Sequence, residues 1–214
     1  MKKAMLVLVS IFIALNVLGA GEKYFQKMGE TLTGFSNCRT LEDYQMVANQ
    51  FRTIANVETA EWLPVYYETQ CYILMSFMDN SGAKARDVWL DQAEKSIKKM
   101  MDLAPQESEV YALEAMYHTG RLVINPSERA MTTTPLINAA IGRSLGLDAY
   151  NPRARFMRLS NDIGTARFFG SDTTPYCDDA RELLEQWDSY KVKSPIHPSW
   201  GKGQVEEIIN GCGE

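Results

Sequence analysis

The sequence predicts an all-α protein. Apolar residues recur three and four apart along nearly all of the chain beyond residue 20, and the period-two alternation of strands is scarce. The proline pattern agrees. Ala104-Pro105, Asn125-Pro126, Thr134-Pro135 and Asn151-Pro152 read as helix ends and starts. The residue before a proline avoids the helical region, and proline is tolerated at the first helical position, where its missing N–H costs nothing.

Residues 1–20 have the pattern of a cleavable export signal. Lys2 and Lys3 form a basic start, Ala4 to Leu18 an apolar run, and Gly19-Ala20 a small-residue end. A membrane span needs about 20 apolar residues, and this run stops without a charged flank. Cleavage is expected near Ala20, with membrane attachment only through an uncleaved signal. The destination is the periplasm or the exterior. Residues 21–214 read as one domain.

The chain carries a formal net charge of −5, and the signal removes two lysines and no acid. An acidic remainder argues against nucleic-acid binding. The densest basic run, Lys95, Lys98 and Lys99, sits beside Asp91 and Glu94 as a solvated helix face. The four cysteines Cys38, Cys71, Cys177 and Cys212 permit two disulfides in three pairings. With only His118 and His197, no metal centre is expected, and no cofactor motif is present.

The helices follow in order. The first runs from about Glu22 to Phe35, with Phe25, Met28, Leu32 and Phe35 on one face. Thr40 with Asp43 three residues later caps the second, whose stripe is Tyr44, Val47, Phe51 and Ile54. The third, Trp62 to Met78, is apolar on most sides and should be central. The fourth spans about Ala85 to Leu103 and the fifth about Glu107 to Val123. Thr134-Pro135 starts a sixth, ending near Leu147, and Asn151-Pro152 a seventh, to about Ile163. The eighth covers about Tyr176 to Tyr190. Ser194 to Pro198 is extended, and a last helix runs from Trp200 to Ile209.

Several spacings repeat. Ala93, Ile97, Met100 and Pro105 follow the second-helix pattern of a tetratricopeptide (TPR) unit, and Ser144 to Ala149 resembles its ending. Phe156, Leu159, Ser160 and Ile163 match the first-helix spacing, as do Phe25, Met28, Gly29 and Leu32. Small residues let paired helices approach while large neighbours fill the groove. The chain also resembles a group of exported TPR-containing proteins of Gram-negative bacteria without an assigned activity. Trp62-Leu63-Pro64-Val65-Tyr66-Tyr67, Asn125-Pro126-Ser127-Glu128-Arg129, Asn151-Pro152-Arg153 and His197-Pro198-Ser199-Trp200-Gly201 carry the likeness. The resemblance implies a TPR-like right-handed helical-hairpin solenoid of about four pairs with a C-terminal capping helix. It implies an exported, non-catalytic binding role and carries over no catalytic residue.

In such a solenoid the first helix of each pair lines a concave surface. That register puts Gln26, Glu30, Glu68, Tyr72, Glu109, Met116, Met157 and Asn161 there. The set suits a basic or amphipathic segment of a protein or peptide partner. Gly142-Arg143-Ser144-Leu145-Gly146 matches a nucleophile elbow in letters, but Ser144 falls late in a helix with no strand before it. The alternative is an exported α-helical hydrolase or lyase using Asp178, Asp179, Glu182 and Glu185 with His197 or Arg153, which requires those groups to converge. If the last two long helices pack antiparallel, Cys177 and Cys212 come within bridging distance, and Cys38 with Cys71 is the other local pairing.

Overall fold

Proline and polar caps set the helix boundaries. The computed structural model describes residues 21–213, and the expected signal lies outside them. In these residues α1 covers 21–36. It is followed by α2 (Leu41–Val57), α3 (Leu63–Met78), α4 (Ala83–Leu103), α5 (Ser108–Ile124), α6 (Pro126–Leu147), α7 (Pro152–Phe168), α8 (Tyr176–Trp187) and α9 (Lys202–Asn210). A short 3-10 turn, Gly211–Gly213, closes the chain, and no strand occurs among the described residues. None of their helices is long and apolar enough to cross a membrane.

Each helix from α2 onward packs on the next, and α3 also meets α5, as α5 meets α7. The helices α3, α5 and α7 thus form a row that the even-numbered helices flank. α3 is its centre, buried along almost its whole length, as expected of a helix apolar on most sides. Thr40 caps α2 reciprocally with Asp43.

The structure corrects several sequence expectations. Phe25 is exposed and Tyr24 is buried in its place, while Met28, Leu32 and Phe35 of the expected α1 face do pack into the core. α6 begins at Pro126, so Pro135 lies inside the helix and Thr134 is no cap. An interior proline removes one helical hydrogen bond and costs about 3 kcal/mol. The helix continues because Thr133, Ile137, Ala140, Ile141 and Ser144 are buried on its far side. α7 runs on to Phe168, and α8 stops at Trp187. Residues 194–197 form a turn closed by the His197 N–H donating to the Ser194 carbonyl, rather than an extended stretch.

The end of the chain packs back on α8. Trp187, the last residue of α8, is buried there. The small partner is Gly201, whose φ of 105° favours glycine and where a Cβ would stand 2.7 Å from the Trp187 ring. Cys177 and Cys212 form a disulfide with Cα atoms 5.9 Å apart, while Cys38 and Cys71 are buried free thiols.

Candidate functional site

The first candidate is the row α3–α5–α7, and it is already occupied. The segment 190–201 crosses the N-terminal turns of these helices. Tyr67 donates its hydroxyl proton to the Ile196 carbonyl at 2.9 Å, and the Trp200 indole donates to the Tyr66 hydroxyl at 2.6 Å. His197 meets the Trp62 ring edge-on, Trp200 meets Phe156, and Lys193 pairs with Glu107 at 2.5 Å. Ile196 is buried, and Tyr190 lies under the Arg153 guanidinium. The chain's own strap fills the place a peptide would take at this end of the row.

Beneath the strap is a buried polar network. Glu109 and Arg153 are both fully buried and pair bidentately, with Arg153 Nε at 2.6 Å from Glu109 Oε2. Asn151 completes the network. Its Oδ1 accepts from the Arg153 and Ala154 N–H groups, and its Nδ2 donates to Ser108 Oγ and Glu109 Oε1. Ser108 and Ser144 bond each other at 2.8 Å. Every one of these groups is satisfied, and burial is the main force raising the Glu109 carboxyl above its ordinary range. The network reads as a lock between α5, α6 and α7. Ser144 is fully buried, so it is no nucleophile.

The eight residues of the expected concave surface do not come together. Gln26 and Glu30 sit on the exposed side of α1, bonded to each other at 3.0 Å. Glu68 and Tyr72 are buried and turn toward Arg52 of α2, which donates to Glu68 at 2.8 Å and also to the Tyr72 hydroxyl. Glu109, Met116 and Met157 belong to the interior. Asn161 is half-buried and donates to Asn138 of α6. The physical reason is direct packing: α3, α5 and α7 touch one another, so faces assigned to a groove are spent on contact.

Nor does the alternative catalytic set converge. Asp178, Asp179, Glu182 and Glu185 are exposed on α8, with Asp178 paired to Arg181 and Glu182 near Arg155. Arg153 is held by Glu109, and His197 meets Trp62 edge-on with its Nδ1 beside the Ser194 hydroxyl. No cluster of three metal-ligating side chains occurs among the described residues.

The second candidate is open. The start of α1 and the end of α2 enclose a pocket of about 500 Å³, within the usual range for small-molecule sites. Tyr24, Ile54 and Val57 form its apolar wall, and Lys23 and Lys27 stand at its rim. Tyr24 is 7% exposed, and its hydroxyl faces the Glu61 carboxylate without a well-formed hydrogen bond. Burial, then the carboxylates of Glu61 and Glu58, push this phenol well above its ordinary range, so it stays a protonated donor. Lys27 bonds Glu30 at the surface, while Lys23 has no carboxylate within 4 Å among the described residues. A shallower groove continues along α2 past Gln50 and Thr53 to Met46 and Trp89. Little in the sequence foreshadows this pocket. Its one signal was two lysines four apart at the start of an amphipathic helix.

No protein-family model and no curated protein matches the sequence. Among solved structures, the fold is similar to that of the HusA haemophore from Porphyromonas gingivalis. The two share 26% sequence identity at a TM-score of 0.76, over 89% of this chain and 92% of that one.

Proposed function

We propose that this chain is an exported, non-catalytic carrier built as a TPR-like right-handed solenoid, and that its cargo is haem. The observation that carries the reading is the likeness to a haemophore, which extends over 89% of the chain and 92% of that protein. A disulfide between Cys177 and Cys212 supports an oxidising destination, in line with the signal pattern of residues 1–20. The satisfied network around Glu109 and Arg153, and the exposed acids of α8, leave the catalytic alternative without a convergent centre.

A small cargo also fits the surface better than a peptide does. A peptide on α3, α5 and α7 would have to displace the strap of residues 190–201, which is held by one hydrogen bond donated by Tyr67 of α3, one donated by Trp200 to Tyr66, and the Lys193–Glu107 pair. The test is a titration of the processed chain, residues 21–214, with hemin, read at the Soret band. A saturable shift at one haem per chain is expected. A spectrum equal to that of hemin in buffer at all protein concentrations overturns the reading.

A further inference from the structure

The carrier reading leaves open where the cargo sits, and the pocket between α1 and α2 combines an apolar wall with a rim that carries Lys23 and Lys27 beside Glu30 and Glu58. We propose that the pocket between α1 and α2 seats a tetrapyrrole dicarboxylate, with Lys23 and Lys27 holding its carboxylates and Tyr24, Ile54 and Val57 forming the wall for its ring. This rests on the carrier reading and adds the seat and the chemistry of recognition.

Three features of the pocket argue for this occupant. Its volume of about 500 Å³ and its apolar wall suit a rigid, largely apolar ligand. Lys23 and Lys27 lie four apart on α1, so their ammonium groups emerge on one side, as two carboxylate arms on one edge of a ring require. Lys23 is free to engage, and Lys27 gives up only a surface pair with Glu30. The third feature is the Tyr24 hydroxyl, buried and without a well-formed hydrogen bond, with Glu61 as its neighbouring carboxylate. A buried hydroxyl without a good hydrogen bond is costly, and an incoming carboxylate oxygen would accept a hydrogen bond from it. The phenol stays protonated beside Glu61 and Glu58, so it recognises a carboxylate as a donor. No His, Cys or Met lines the pocket. Tyr24 lines it and is of a type that can ligate haem iron, but its phenol stays protonated, so ring contact and carboxylate recognition carry the binding.

Titration of the processed chain compares hemin, hemin dimethyl ester and laurate. The variants are Lys23→Glu with Lys27→Glu, and Val57→Asp, all at exposed positions, so circular dichroism should not change. Each variant is expected to weaken hemin binding by about ten-fold or more, from losing the two charge-assisted contacts in the lysine variant and from placing a charge against the ring in the other. The dimethyl ester should bind the unaltered chain more weakly and be indifferent to the lysine exchange. Hemin binding unchanged in both variants would overturn this seat and leave the carrier reading standing. No hemin binding by the unaltered chain would overturn both. Laurate competing with hemin at equal affinity would overturn the tetrapyrrole assignment in favour of a simple fatty acid.

Discussion

Asn151 shows how much one side chain can be asked to do. It caps α7 with its oxygen and, with its amide, holds Ser108 and Glu109 on α5. Replacing it by alanine removes the cap and strips two buried acceptors of a donor, so Asn151→Ala should cost about 2–4 kcal/mol. A urea unfolding midpoint close to that of the parent would refute the assignment. The neighbouring Glu109–Arg153 pair carries a sharper test. Arg153→Met leaves a buried carboxylate without its cation and should cost about 3–5 kcal/mol. Adding Glu109→Leu removes the stranded charge and should recover much of that loss. If the double variant is as unstable as the single one, packing around the guanidinium, not charge pairing, dominates at this site.

At the scale of elements, α4, α5 and α6 are clipped together by charge as well as by core. Arg129 of α6 and Arg121 of α5 both bond Asp87 of α4, at 2.6 Å and 2.8 Å. Arg121 also reaches Asp91 and lies over the Tyr117 ring. The Arg129 hydrogen bond is the leading cause holding the Asp87 carboxyl below its ordinary range. A depressed carboxylate contributes stability that is fully present above the unfolded value and is lost as pH falls through the folded one. Stability should therefore decline as pH drops below about 4, the ordinary aspartate range. Asp87→Asn should be less stable at neutral pH and show a shallower acid decline. Melting temperatures at pH 3, 5 and 7 for parent and variant decide it, and parallel profiles would remove the clip from the account.

Over the whole molecule, the C-terminal part is a strap tied at both ends. The bridge from Cys177 to Cys212 closes a loop of 35 residues that contains the whole 190–201 segment. Chain entropy gives such a loop about 3–4 kcal/mol. Cys177→Ser with Cys212→Ser should lose that amount and raise hydrogen exchange first at the Ile196 and Trp200 contacts with α3. Loss of stability with no added exchange in the strap would mean that the tyrosine and tryptophan contacts hold it without the bridge. Haem binding should survive this change, because Lys23, Lys27 and Val57 lie at the other end of the chain.

The sequence by itself determined the all-helical content, the Thr40 and Asn151 caps and the central place of α3. These follow from local rules: apolar periodicity, side-chain capping and the fixed dihedral of proline. It misjudged α6, because Asn125-Pro126 and Thr134-Pro135 look equally good as starts. Only burial of Thr133 and Ile137 against a neighbour shows that the helix runs through Pro135. The candidate site was less legible still. Glu109 and Met116 look available on a helix face until α7 is packed on it, and periodicity cannot tell a face that meets solvent from one that meets another helix. The strap over α3, α5 and α7 joins residues 129 and 134 apart in sequence, and the α1–α2 pocket exists only between two helices. Both are products of tertiary packing, where surfaces distant in sequence become neighbours.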